Sequence, residues 1–398
     1  MKRYIGLFFL FSLGLSILVG AFNFIVNPYL YFSPSIDLPG FNDRKYFAGI
    51  DGFRIWKSQR ISDDQYDAAL IGSSRVMVGL DPGDAAGLKA FNLGLPMTNM
   101  FELDLVSSYV ARQAHLKEVI IGLDFLLFSD RRSVHPAYYR SHFNGDRSFR
   151  DQLTDVLSLR STLTSLATVG ANLASLDLPR MQSSGFLPRT TSTVPVRERF
   201  DRVLTQNFLI NPETYADYHY SRDRVDHFRA MLERFVASGK RVRVFISPVH
   251  ARQLLVVQEL GLWNTYKQWL SDVTEVVSDV SHASGQCIPL IDFSGFNHYT
   301  QEPIPHGDTS EMDWYFESSH YRHELGQKLL RELLATHCEA ASTGLGTRLN
   351  PAALDQRLVQ LDDGLRRYRR TQPDEVQAVK RLLAKTAIYR TQRTAVGR

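Results

Sequence analysis

Five short, continuous apolar runs constrain this chain more than any other feature. They are Ala68-Ala69-Leu70-Ile71-Gly72, Ala90-Phe91-Asn92-Leu93-Gly94-Leu95, Val119-Ile120-Ile121-Gly122-Leu123, Val242-Arg243-Val244-Phe245-Ile246 and Pro289-Leu290-Ile291-Asp292-Phe293. A run that is apolar at successive rather than alternate positions reads as a strand covered on both faces. Helical stretches are expected at about 97–114, 222–238 and 324–337, with another, broken near Gly261, that carries Leu254, Leu255, Tyr266, Trp269 and Val273. Strands that alternate with helices build a parallel sheet with helices on both faces, so the expected class is α/β. In open sheets of this kind ligands sit outside the carboxyl ends of the strands. The residues immediately after each run are therefore the first place to look for chemistry.

The N-terminus bears on location. Lys2 and Arg3 precede an uncharged run from Tyr4 to Val26, long enough at about 1.5 Å per residue to cross a hydrocarbon core of about 30 Å. The positive-inside rule keeps Lys2 and Arg3 cytoplasmic and exports everything after Asn27. A cleaved signal peptide is the competing reading, because Val19-Gly20-Ala21 has the small residues that a signal peptidase prefers. The expected organisation is a transmembrane anchor at 1–26, a Pro- and aromatic-rich connector at 27–60, an α/β domain at 61–340 with an insertion at about 130–220, and a basic helical tail at 341–398. That tail holds 12 Lys or Arg against 5 Asp or Glu and reads as a solvated helical face. The formal net charge of +4 is small for 398 residues, so no nucleic-acid partner is implied. Cys287 and Cys338 are too few for a zinc site but able to form one bridge in an oxidising compartment. Asn297, His298 and His306 read as loop residues rather than metal ligands, and no cofactor is expected.

After the first run comes Gly72-Ser73-Ser74-Arg75-Val76-Met77-Val78-Gly79, after the second Asn92-Leu93-Gly94, after the third Gly122-Leu123-Asp124-Phe125. Before the last helix comes Phe316-Glu317-Ser318-Ser319-His320-Tyr321. This order resembles the SGNH (GDSL-like) hydrolase superfamily over about residues 66–338, and its phrasing is similar to membrane-anchored members of exported-polysaccharide loci such as the alginate acetylation proteins. The resemblance implies a flavodoxin-like three-layer sandwich with a central parallel five-stranded sheet. It further implies Ser74 as nucleophile, His320 as general base and Glu317 as the carboxylate that orients it. A serine hydroxyl needs a base to take its proton, a histidine titrates in the right range, and a carboxylate on the other ring nitrogen fixes the tautomer. Ser74 N–H and Gly94 N–H would receive the oxyanion. Arg75, Asp124 and His250 are further candidates for oxyanion or substrate binding.

Three positions depart from the family pattern. Ser73 replaces an Asp, and Glu317 replaces an Asp with a longer arm. Asp124 replaces an Asn that would donate to the oxyanion, which an ionised Asp cannot do. Either the oxyanion hole lacks that donor, or Asp124 has another job, such as gripping Arg75 or a sugar hydroxyl. The expected function is a serine esterase or O-acyltransferase acting on acyl groups, chiefly acetyl, of an envelope or exported polysaccharide. Its expected place is single-pass in a bacterial inner membrane with the domain periplasmic, beside other envelope-biosynthesis proteins. A non-catalytic scaffold or glycan-binding component of a secretion complex is the alternative, and a lipid-directed esterase a third. Taken singly, Gly-Ser-Ser after a strand is also an ordinary helix cap, and Glu317 to His320 an ordinary capping sequence.

Overall fold

The computed structural model describes residues 1–32, 35–46, 51–145, 147–176, 181–189, 192–305, 307, 310–336 and 344–396. Along the chain come α1 (Lys2–Val26), α2 (Asp51–Arg60), β1 (Ala68–Gly72), α3 (Ser74–Gly79), β2 (Ala90–Gly94), α4 (Met100–Ala111) and β3 (Glu118–Leu123). Then follow α5 (Phe149–Val156), α6 (Leu159–Leu173), α7 (Val196–Val203), α8 (Arg222–Ala237), β4 (Arg241–Ile246), α9 (Ala251–Glu259) and α10 (Trp263–Ser284). The chain closes with β5 (Leu290–Asp292), α11 (His323–Ala335), β6 (Thr347–Arg348), α12 (Pro351–Thr371) and α13 (Pro373–Val396). It divides into two compact units, residues 1–63 with 135–181, and residues 64–134 with 182–398.

The larger unit is built on a six-stranded sheet in the order β2-β1-β3-β4-β5-β6. The five apolar runs pair in parallel, and every residue of β1, β2 and β3 is buried. The expectation of five strands needs correction: β6 adds an antiparallel edge, with Ile291 opposite Arg348 and Asp292 opposite Thr347. Two residues carry no apolar run, so nothing in the sequence marks this strand. Leu70, Ile120, Phe245 and Ile291 pack on one face with Val76 and Leu80 near α3 and with Leu325 and Leu329 of α11. Helix α8 packs against α4, α10 and β4.

α3 and α11 approach each other at glycine. A Cβ on Gly326 of α11 would lie 1.7 Å from the carbonyl oxygen of Gly79, and one on Gly79 would lie 2.1 Å from Tyr321 Cε2. Any side chain there would push apart α3, which begins at Ser74, and α11, which follows the loop carrying His320.

Within the C-terminal segment, α12 is packed along one side rather than wholly solvated. Asn350 caps α12, accepting from Ala353 N–H at 2.9 Å, with Pro351 following it. Helix α12 buries Leu361, Leu365 and Tyr368. Its Arg357 bonds Asp292 Oδ2 at the end of β5, and Trp263 Nε1 donates to its Asp362 at 2.7 Å. Cys287 is half of a disulfide. The sequence offers one other cysteine, Cys338, which lies outside the described residues.

In the smaller unit the connector and the insertion form one body. α1 ends at Asn27, which takes the left-handed conformation (φ 47°) ahead of Pro28 and donates its N–H to Asn23. The orphan carbonyls of the last turn are met by the connector: Asn42 Nδ2 donates to Ile25 and Lys45 Nζ to Val26. Tyr29 and Tyr31 pack with Ile55 of α2, and Asn23 Nδ2 donates to Val156 O and Thr162 Oγ1 at the α5–α6 junction. α1 is long and apolar enough to cross a membrane.

Candidate active site

The parallel register aligns Gly72 with Gly94 and Leu123 with Ile246, and sets Ile246 beside Asp292. Ser73, Asp124 and Ser247 therefore leave the sheet along one carboxyl edge. Ser73 caps α3 by accepting from Arg75 N–H at 3.2 Å. Between Ser73 and Arg75, both buried, Ser74 is the partly exposed residue.

His320 reaches Ser74 from a loop pinned at both sides. Tyr315 bridges Tyr321, Phe316 N–H donates to His320 O at 3.0 Å, and Arg322 N–H to Trp314 O at 2.8 Å. Within this turn the Glu317 carboxylate accepts from Ser319 N–H at 2.8 Å and His320 N–H at 3.1 Å. It also accepts from the His320 ring at Nδ1, which leaves Nε2 facing Ser74 Oγ at 2.8 Å. With the Nδ1 proton donated to the Glu317 carboxylate, the Nε2 lone pair meets the serine O–H, the tautomer a general base requires. Burial pushes the Glu317 carboxyl up, but His320, Arg189 and the turn's N–H groups outweigh it and hold it at about 2. Burial, and then the Arg189 charge, lower His320 against the pull of Glu317. At neutral pH the pair is an ionised carboxylate and a neutral imidazole, which can accept a proton.

Asp124 and Arg75 stand behind the triad. Arg75 Nη1 pairs with Asp124 Oδ1 at 2.9 Å, and both side chains are 4% exposed. Ser73 Oγ donates to Asp124 Oδ2 at 2.6 Å. Arg75 also donates through Nε to Ser319 O at 3.0 Å and through Nη2 to Ser319 Oγ at 3.1 Å. So Arg75, next to Ser74, is tied to Ser319, next to His320, and Asp124 holds that tie. Of the two roles open to Asp124, the structure shows the grip on Arg75. Neither Arg75 nor Asp124 presents the open group that a substrate contact needs.

Two other expected residues have different positions from those anticipated. Gly94 N–H is turned to Asn92 Oδ1 at 2.9 Å, so it is not a free oxyanion donor. The same Asn92 donates to Val76 O and Leu80 O, closing the end of α3 onto β2, and a Cβ on Gly94 would meet Met77 N at 2.3 Å. Close packing explains that glycine. His250 is buried and caps α9, with Nδ1 accepting from Arg252 N–H and Nε2 donating to Glu302 O at 2.8 Å. Burial lowers it to about 4. It is a neutral structural histidine with both nitrogens engaged, not a substrate contact.

Arg189 is a site residue that no motif in the sequence marks. It comes from the Ser/Thr/Pro/Arg-rich stretch after residue 181 and lies 3.5 Å from Glu317 Oε1 and 3.4 Å from His320 Nδ1. Its guanidinium lies over the Phe316 ring, which Arg322 also overlies. It is exposed, so it brings positive charge to the rim of the triad.

Asn297 forms a local turn by accepting from Tyr299 and Thr300 N–H groups. His298 lines a cavity of about 630 Å³ together with Glu302, Glu311, Asp313 and Trp314, and no triad residue lines it. His306 lies outside the described residues. Among the described residues no group of His, Cys, Asp and Glu is arranged to hold a metal. No family model and no curated protein matches this sequence.

Proposed function

We propose that this protein is a serine esterase or O-acyltransferase that acts on acyl groups, chiefly acetyl, of an envelope or exported polysaccharide. The observation that carries the reading is His320 Nε2 at 2.8 Å from Ser74 Oγ, with Glu317 on the other ring nitrogen, across 246 residues of sequence. Either turn alone is an ordinary cap; their meeting at one sheet edge has no structural requirement behind it. The chemistry that fits is acyl transfer through a covalent serine. His320 Nε2 takes the hydroxyl proton as Ser74 Oγ bonds to the ester carbonyl carbon. The resulting imidazolium, stabilised by Glu317, gives that proton to the departing sugar oxygen as the ester bond breaks. Water or a second sugar hydroxyl then loses its proton to His320 and attacks the acyl-serine, which restores Ser74 with acid or a new ester as product.

The strand order 2-1-3-4-5 within the parallel part is the flavodoxin-like order. It supports placing the larger unit with the SGNH hydrolases that the motifs resemble. α1, with Lys2 and Arg3 at its start, supports a single-pass inner-membrane protein whose remainder is periplasmic. The packing of its last turns into the smaller unit favours a retained anchor over a cleaved leader. In that setting an acylated polysaccharide is the substrate class, with other envelope-biosynthesis proteins as partners.

A second reading, a non-catalytic glycan-binding scaffold, is favoured by two observations. Asp124 replaces the donor residue of the family, and Gly94 N–H is already engaged. Hydrolysis of an acetylated oligosaccharide separates the two. The esterase reading expects acetate release that Ser74→Ala abolishes; the scaffold reading expects glycan binding that Ser74→Ala leaves unchanged, with no release by the parent protein.

A further inference from the structure

Helix α6 is built inside out. Its buried side is polar: Ser161, Thr164, Ser165, Thr168 and Asn172 recur at helical spacing and face the interior of the smaller unit. They bond the connector there. Thr164 Oγ1 meets Tyr29 OH at 2.9 Å, Thr168 Oγ1 accepts from Tyr46 N–H, and Asn172 exchanges bonds with both backbone groups of Arg44. The side turned away carries Leu159, Leu163, Leu166 and Leu173, which are 73%, 57%, 56% and 71% exposed. No charged residue occurs from Ser161 to Leu176. A helix on the surface of a water-soluble unit has the opposite pattern, apolar stripe inward and charges outward. α5 continues the outward apolar side with Phe149, Leu153 and Leu157, 78%, 46% and 41% exposed. Its outward hydroxyl, Thr154, bonds back to Arg150 O, so that hydroxyl needs no solvent partner.

We propose that the α5–α6 pair is itself immersed in the membrane, with its leucine face lying against lipid beside α1. The occupant follows from continuity. The pair packs on the last turns of α1, where Gly20 faces Leu157 and Asn23 bonds Val156 and Thr162. That junction lies 21 residues from Lys2, about 31 Å along the helix, one hydrocarbon thickness from the charged start. The leucine face thus adjoins α1 where it would leave the bilayer on the side opposite Lys2. A helix with an apolar outer face and no charge beyond Arg160 in its first turn is, at that depth, a monotopic element inserted into one leaflet. The exposed charges of the pair, Arg150 and Asp151 in the first turn of α5 and Arg160 in the first turn of α6, lie at the helix starts and suit the headgroup layer there.

The test uses the full chain in liposomes of phosphatidylethanolamine and phosphatidylglycerol. Nitroxide labels go on Leu163→Cys and Leu166→Cys, with Leu10→Cys in α1 as the lipid reference and Val359→Cys in α12 as the aqueous one. Labels at 163 and 166 should collide with oxygen several-fold more, and with a water-soluble nickel chelate several-fold less, than the label at 359. Both leucines are exposed, so the substitutions leave the fold intact, and labels at Leu159 and Leu173 repeat the measurement. Nickel accessibility at 163 and 166 equal to that at 359, with Leu10 shielded, overturns the inference while leaving the anchor in place. Shielding from both oxygen and nickel also overturns it, because a second copy or another protein then covers the face. An aqueous signal at Leu10 itself removes the anchor and the inference together.

Discussion

Asp124→Asn separates a positioning role for Asp124 from a vestigial one. If Asp124 were only a failed oxyanion residue, Asn would restore the donor of the pattern that the motifs resemble and raise activity. In the structure Asp124 instead balances the charge of Arg75 at 2.9 Å, with both side chains 4% exposed. Removing one partner of so buried a pair leaves an uncompensated charge, at a cost of about 3–5 kcal/mol. Asn has one oxygen to offer, and Asp124 now serves both Arg75 and Ser73. For a unit of this size the loss corresponds to a melting shift of roughly 5–8 °C. Activity should fall as well, because a displaced Arg75 loosens Ser319, the neighbour of His320. A tenfold loss would correspond to only about 1.4 kcal/mol of misplacement. Arg75→Met in the Asp124→Asn background removes the stranded charge, so the double variant should regain most of the lost stability while remaining inactive. The assays are thermal melts of all three variants and initial rates on an acetyl ester. An Asp124→Asn protein that melts within about 2 °C of the parent and turns over faster would refute the reasoning, as would single-variant losses that simply add.

Two further outcomes follow from the same geometry. His320 must be neutral to act, so activity is lost as pH falls through its pKa. Burial, Arg189 and Arg75 lower that pKa against Glu317, so Arg189→Ala should move the acid limb of kcat/KM to higher pH and Arg189→Lys should hold it; an unmoved limb in the alanine variant would show that Arg189 does not act on the base. Gly326→Ala places a methyl group 1.7 Å from Gly79 O and should cost about 1–3 kcal/mol by overpacking. It should also reduce turnover more than it reduces substrate affinity, since it spreads Ser74 from His320; equal stability and kinetics in that variant would deny the α3–α11 contact its role.

The parts of the fold legible in the sequence were those carried by unbroken local signals. β1 to β5 are short apolar runs, and the break between α9 and α10 falls at Gly261 with its positive φ of 76°. Ser74, Glu317 and His320 were legible because each lies beside such an element in a fixed order. What local pattern could not convey was partnership between distant segments. β6 is two residues long and exists by pairing with β5. α12 looks like a basic surface helix until Arg357 is seen to meet Asp292. The Ser/Thr side of α6 looks like the outside of a helix, because its partners at Tyr29, Arg44 and Tyr46 lie more than a hundred residues away. The place of Gly94 in its motif suggests a donor, and nothing in the motif discloses that Asn92 takes its N–H. Arg189 sits in a stretch with no periodicity at all, so its arrival beside Glu317 is visible in three dimensions alone.

The most direct test of the central claim is covalent capture of Ser74. A fluorophosphonate reacts with serine when a neighbouring base takes its proton, and not with a serine that merely caps a helix. Intact-mass analysis should show one adduct, mapped to the peptide carrying Ser74, and the adduct should disappear in both Ser74→Ala and His320→Ala. Folded parent protein that gains no adduct, or gains one on any other residue, would contradict the account and leave the scaffold reading in its place.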